Sequence, residues 1–239
     1  MSERDYHDEH YEAEAGLFET PLFRRVHERA AREFLRCTRA GPSHRILSLG
    51  CGDGSIERRL APHVGHLLGV DISPVAISQA RAKSAGLANL SFEVAEKLPD
   101  GPFDIVAAFA FLHHLDDAAI RETLRVARKA LRPGGLFYSS DPSRRRLVGV
   151  FRGLVRKTYE RYHSPDEREL DPQVLARLFT EAGFDRPVIG FADYFLGPLA
   201  WLAPGTPAWL APGVEALDNL ALRIPFMRRY ASSFYLCAS

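Results

Sequence analysis

Three glycines at alternate positions, Gly50, Gly52 and Gly54, stand in the run LGCGDGS, and Asp71 closes the next apolar stretch, LLGVD. Glycine lets backbone N–H groups come close to a ligand, and the N-terminus of the helix that follows such a turn favours a carboxylate or phosphate. A carboxylate at the end of the second strand can accept hydrogen bonds from both hydroxyls of a ribose. Together the turn and the acid imply a nucleoside-like ligand. Two plainer readings stand beside this one: a tight strand-to-helix turn for the glycines, and an ordinary acid at a helix N-terminus for Asp71. A nicotinamide dinucleotide fits less well, because its fingerprint needs a third glycine three residues after the second, where Ser55 stands.

His113 and His114 are the second chemical feature. An imidazole titrates near neutrality and can act as a general base, so either residue is a candidate catalytic group. The alternative is that one ring packs at a helix entrance while the other faces solvent. Neighbouring residues on a helix cannot both aim at one ion, and Cys37, Cys51 and Cys237 form no CxxC pair, so no metal is expected. His7 with His10, and His63 with His66, have helical spacing without a supporting constellation and read as solvated faces.

These residues need a scaffold that brings loop ends together. Between residues 43 and 141 short apolar runs alternate with helical patterns, which predicts βαβ units and a parallel sheet. Strands are expected at 45–49, 67–71, 90–95, 104–109 and 136–140, with helices near 55–63, 74–85 and 117–131. Ser73 and Pro74 make an N-cap and first-turn pair. Before this core, residues 17–35 read as one or two amphipathic helices carrying Leu22, Phe23, Val26, Ala30 and Phe34 on one stripe. After it, 144–162 looks helical, 172–182 is a helix closed by Gly183, and 187–191 and 233–237 are further strands. The hexapeptide AWLAPG occurs at 200–205 and again at 208–213, which reads as a duplicated apolar turn or helix-loop unit.

The ordered segments ILSLGCGDG, LLGVDIS, AEKLP, FDIVAAFAFLHHLDD and LRPGGLFYSSDP resemble the class I, Rossmann-like S-adenosylmethionine-dependent methyltransferases, in the small-molecule branch that includes quinone-biosynthesis enzymes. The resemblance covers most of 43–141. It implies a doubly wound α/β fold with a mostly parallel seven-stranded sheet whose last strand is antiparallel. A helical cap would occupy 1–42, with lid helices and the last strands in 142–239. Helical insertions would follow strand five and separate strands six and seven.

It also implies S-adenosyl-L-methionine as cofactor. Gly50, Cys51 and Gly52 would line its methionine end, Asp71 would hold the ribose, and Ile72 would pack on the adenine. Ala108 would lie beside the reactive methyl, with His113 or His114 beyond it. Two positions depart from the family. Ser48 stands where an acid usually helps orient the methionine ammonium, and Val94 or Ala95 stands where an Asp commonly meets the adenine amino group. Family members often close an N-terminal aromatic over the cofactor, and Tyr6 and Tyr11 are available, although surface or packing roles are the favoured reading for both.

The bulk composition bounds the function. The chain has 239 residues and a formal net charge of +1, so its surface as a whole does not attract nucleic acid. The charged N-terminus lacks the apolar core of a signal peptide, and a cytoplasmic protein is expected. The expected partner is a small-molecule acceptor, with the oligomeric state open. Arg144, Arg145, Arg146, Arg152, Arg156, Lys157 and Arg161 put a basic face on an amphipathic segment, while Leu196, Leu199, Trp201, Leu202, Trp209 and Leu210 form an apolar one. Together they suggest an acidic or amphiphilic acceptor, or a peripheral contact with an anionic membrane. A solvated basic face paired with Asp166, Glu167 and Glu169 is the plain alternative. A non-catalytic S-adenosylmethionine-binding partner of another protein is the competing function.

Overall fold

The computed structural model describes residues 8, 11, 16–147 and 167–239. Its centre is a seven-stranded sheet in the order β3-β2-β1-β4-β5-β7-β6. The strands are β1 (Arg45–Leu49), β2 (His66–Asp71), β3 (Leu90–Val94), β4 (Phe103–Phe109), β5 (Leu131–Pro142), β6 (Val188–Phe191) and β7 (Ser233–Ala238). Strands β1 to β5 run parallel to their neighbours, whereas β7 lies antiparallel between β5 and β6. Every residue of β4 is buried, as expected for a central strand covered on both faces. The order reverses between β1 and β4, so the crevice for a ligand opens beyond their carboxyl ends.

Helices α1 (Pro21–Thr38), α2 (Glu57–Leu60), α3 (Pro74–Lys83), α4 (Asp117–Ala130), α5 (Pro172–Glu181), α6 (Leu196–Leu202) and α7 (Ala211–Arg223) surround the sheet. Their starts follow capping chemistry. Ser73 Oγ accepts from Ala76 N–H with Pro74 in the first turn, Asp116 accepts from Ala119 N–H, and Asp171 accepts from Gln173 and Val174 N–H. Gly183, at φ +86°, closes α5.

On one face α1 packs Ala31 and Phe34 against Ile46, Ile105 and Tyr138. On the other, α4 and α5 pack Leu124, Leu175 and Phe179 against Val106 and Phe137. Each fully buried Leu or Phe of this kind contributes about 1.5–3 kcal/mol. The other end of α1 packs Leu22 and Phe23 on Leu196, Ala200 and Ala211, tying the N-terminal cap to α6 and α7.

The strands expected from sequence are all present, with β5 starting earlier, at Leu131. The helix expected over 55–63 is shorter: α2 covers four residues, and the 3-10 turn Ala61–His63 with Pro62 replaces its last part. The two AWLAPG copies differ in structure. The first ends α6 and turns at Pro204–Gly205, while the second forms a 3-10 turn and then the first turn of α7. Proline explains the divergence, since it fits the first turn of a helix but cannot continue one. The repeat is therefore not a repeated unit. Of the basic segment 144–162, residues 148–162 lie outside the described residues, and 144–145 form a turn rather than helix.

Candidate active site

A cavity of about 230 Å³ opens beyond β1 and β4, lined on one side by Gly50, Cys51, Gly52 and Glu57 and on the other by His113, His114, Glu167 and Trp201. On the first wall Gly50 and Gly52 have φ of +61° and +53°, a conformation that L-residues rarely adopt. A Cβ on Gly52 would overlap the Tyr11 hydroxyl, and one on Gly50 would overlap the Phe111 ring. The turn therefore presents bare backbone to the cavity. Asp71 braces it from below. Its Oδ2 accepts from Gly52 N–H at 2.9 Å and its Oδ1 from Ser73 N–H at 2.9 Å, which leaves a lone pair on each oxygen for a ribose.

Behind this turn lie two buried acids that sequence reasoning missed. Asp53 pairs with Lys83 at 2.5 Å and accepts from Ser55 N–H, and these contacts hold its carboxyl below the usual range despite burial. Glu57, 2 % exposed, accepts a 2.6 Å hydrogen bond from Ser48 Oγ, and burial pushes its carboxyl up to about 7. Ser48 is thus held beneath the cavity rather than lining it. The only sequence signal for Glu57 was an acid one turn beyond the glycines.

The N-terminal segment closes over the same wall. Asp8 accepts from Ser73 Oγ, the Tyr11 carbonyl accepts from Gln79 Nε2, and the Tyr11 ring reaches Gly52. Of the two tyrosines raised by the resemblance, Tyr11 lines the cavity, and Tyr6 lies outside the described residues. His27 of α1 also lines it, and burial together with the charge of Arg59 lowers its imidazole to about 4, so it is neutral near pH 7.

The second wall carries the histidines. The turn Leu112–His114 is 3-10 rather than α-helical, and it sets the two rings side by side with centroids 4.1 Å apart. Both face Glu167, at 3.8 Å from His113 Nε2 and 3.8 Å from His114 Nδ1. Behind His113 stands Asp141, whose Oδ1 accepts from His113 N–H and lies 3.3 Å from its Nδ1. Burial pushes the Asp141 carboxyl up to about 7, against the pull of the backbone N–H groups of His113, Leu112 and Phe111. The expectation that adjacent histidines diverge holds for an α-helix and not for this turn. His113, His114 and Glu167 bring three ligand-type atoms within 4.8 Å, a spacing that a cation could bridge after a small adjustment.

The remaining candidates lie around this centre. Ala108 is fully buried at the end of β4, and the next two residues, Phe109 and Ala110, line the cavity. Ala110 holds φ +47°, a strained conformation without glycine. Ile72 is half-buried at the Asp71 turn. Val94 pairs with Asp71 across the sheet but is 44 % exposed, and Ala95 packs at the core's edge; neither lines the cavity.

Residues 46–135 match the family model described as a methyltransferase domain. The chain is 28% identical over 151 residues to the ubiquinone biosynthesis O-methyltransferase of Aromatoleum aromaticum, covering 59% of this chain and 64% of that protein. It is 31% identical over 144 residues to a probable S-adenosylmethionine-dependent methyltransferase of Mycolicibacterium smegmatis, covering 59% and 51%. The chain spans about half the length of the curated relatives it matches. Among solved structures, the Haemonchus contortus phosphoethanolamine N-methyltransferase 2 in complex with S-adenosyl-L-methionine has the same fold, with a TM-score of 0.68 at 17% identity over 100% of this chain and 60% of that one. The glycine turn with its bracing acid, the strand order and the domain match agree: residues 46–135 match a methyltransferase domain, and the chain is similar to the class I S-adenosylmethionine-dependent methyltransferases.

Proposed function

We propose that this protein transfers a methyl group from S-adenosylmethionine to a small acceptor bearing an ionisable hydroxyl or amine, with His113 as the base. The observation that carries the reading is the buried His113–Asp141 pair facing the glycine turn across one cavity. The first wall fits the cofactor, with bare backbone at Gly50 and Gly52 and the buried acid Glu57; Asp71, which braces the turn without lining the cavity, keeps spare lone pairs for a ribose. When bound, the cofactor supplies an electrophilic methyl on a sulfonium. The protein's part is to align the acceptor for in-line displacement and to receive a proton. Asp141 fixes the His113 ring through Nδ1, which leaves Nε2 facing the cavity. Trp201 and Phe18 add apolar walls.

No Arg or Lys lines this cavity among the described residues, so the lining favours a neutral or cationic acceptor body over an acidic head. Arg145 and Arg146 are paired with Asp171 and Glu169. Leu196, Leu199 and Trp201 belong to the cap core. The peripheral contact with an anionic lipid surface is proposed instead at α7 and the turn after it. There Trp209, Leu217, Leu220 and Phe226 are exposed beside Arg223, Arg228 and Arg229. Both acids of this stretch point away: Glu215 pairs with Arg25 and Arg32, and Asp218 is buried.

Transfer of a labelled methyl to products of a small-molecule extract tests the activity. His113→Gln should bind cofactor normally and lose turnover about a hundredfold or more. Binding without transfer in the wild type would make this a non-catalytic cofactor-binding protein. Turnover lost to a chelator and restored by a divalent cation would assign His113, His114 and Glu167 to a metal rather than a proton.

A further inference from the structure

Glu57 is a buried acid that the proposed chemistry does not consume. The residue is among those lining the cavity, beside Gly50, Cys51 and Gly52, and its one side-chain hydrogen-bond donor among the described residues is the Ser48 hydroxyl at 2.6 Å. Among those residues no Lys, Arg or His nitrogen lies within ion-pair distance of it. Asp53, four residues earlier and equally buried, is neutralised by Lys83. Arg58, next in sequence, is turned the other way, toward the Asp53 carbonyl, Ser55 Oγ and Glu19. A carboxylate taken out of water without a cation is disfavoured, and a cavity wall is where a ligand can provide one.

We infer that Glu57, positioned by Ser48, is the anion that receives the primary ammonium at the amino-acid end of the cofactor. The inference rests on the reading that this cavity holds S-adenosylmethionine. The strand position that would ordinarily carry an acid holds neutral Ser48, and its hydroxyl instead hands the task to a carboxylate on the next helix. The ion pair then forms without adding a permanent charge to the strand.

Proton release accompanies binding. Burial pushes the Glu57 carboxyl up to about 7, and an arriving ammonium favours the carboxylate. The groups facing it are few. Asp53 stays charged, Arg58 is cationic, and the Cys51 thiol and Tyr11 phenol are pushed up by burial and stay neutral near pH 7. His27, lowered to about 4, is neutral as well. His113, His114 and Glu167 face the cavity from its other wall, so the Glu57 variant separates their titration from this one.

The test is calorimetric titration of the full chain with two nucleosides. S-adenosylhomocysteine carries the ammonium, whereas 5′-methylthioadenosine keeps the adenosine and thioether but lacks the amino-acid end. Glu57→Gln should weaken S-adenosylhomocysteine at least tenfold at pH 8 and leave methylthioadenosine within twofold, which also reports that the variant is folded. Ser48→Ala should show a smaller loss of the same selectivity. Wild-type affinity for S-adenosylhomocysteine should rise from pH 6 to pH 8, with proton release that Glu57→Gln abolishes. Equal loss for both ligands, or no loss for either, overturns the inference while leaving the cofactor reading standing. Failure of the wild type to bind either ligand overturns both.

Discussion

The two walls of the cavity are built by different means. Apart from Tyr11, which closes over it, the glycine-turn wall is short-range: β1, the turn, α2, β2 and α3 follow one another along the chain, and Asp71 braces two turns through backbone N–H groups. The histidine wall is long-range, drawing His113 from the end of β4, Asp141 from β5, Glu167 from beyond the basic segment and Trp201 from α6. A wall of local backbone geometry suits a ligand that never varies. A wall assembled from distant segments can change its acceptor by changing one insertion. Loss of His113 should therefore cut turnover, the largest effect expected, and leave cofactor affinity alone.

The next largest effect should fall wholly on the other wall. Asp71→Ala removes the acceptor for Gly52 and Ser73 N–H as well as the ribose contact, so cofactor affinity should drop by roughly 1.5 to 3 kcal/mol, about ten- to a hundredfold. Calorimetric titration measures this. An unchanged dissociation constant would mean that the first wall is held by backbone alone.

That contrast explains what the sequence disclosed. The sheet was readable because its signals are local: alternation of apolar runs, the Ser73–Pro74 start, and glycines where φ is positive. Asp71 and the glycine turn were readable for the same reason. Glu57 was not, because an acid beside Arg58 and Arg59 looks like a solvated helix face until the packing of α2 against Ser48 is known. Asp141 and Glu167 become partners of the histidines only through the β4–β5 pairing and the hydrogen bond from Arg168 N–H to the His113 carbonyl. The AWLAPG copies misled because identical residues met opposite ends of two helices.

Burial of Glu57 also has a cost that stability should reveal. Its folded pKa of about 7 lies above the ordinary 4.5, so the native state holds a proton that the unfolded chain releases between these values. The penalty is absent below pH 4.5, grows as pH rises, and is fully present above 7. Glu57→Gln should therefore stabilise the cofactor-free protein by about 3 kcal/mol at pH 8 and hardly at all at pH 4.5. Denaturant titrations at the two pH values measure it. Equal stability at pH 8 would mean that the carboxylate finds its own cation.

A smaller gain is expected at the junction of the two walls, where Ala110 holds φ +47° and donates its N–H to the Ser140 carbonyl at 2.7 Å. Glycine adopts this conformation without the Cβ clash, so Ala110→Gly should stabilise the fold by about 1 kcal/mol. If turnover falls while the melting temperature rises, the strained alanine is aligning the acceptor.

The least effect on the fold should come from the cover's outer face. Trp209 is 76 % exposed and Phe226 67 %, and Arg223, Arg228 and Arg229 border them, so Arg223→Ser, Arg228→Ser and Arg229→Ser together remove little packing. Stability and cofactor affinity should change by no more than about 0.5 kcal/mol. Contact with an anionic surface should respond instead, since each basic residue near such a surface contributes about 1 kcal/mol and salt screens it. Co-sedimentation with phosphatidylserine-containing and neutral vesicles, at low and high salt, separates the terms. The wild type should pellet with anionic vesicles at low salt and be released as salt rises, while the triple variant should stay in solution. Pelleting that ignores salt and charge would assign the contact to the apolar side chains. No pelleting, with the wild type sedimenting as a dimer, would assign the face to a second copy of the chain.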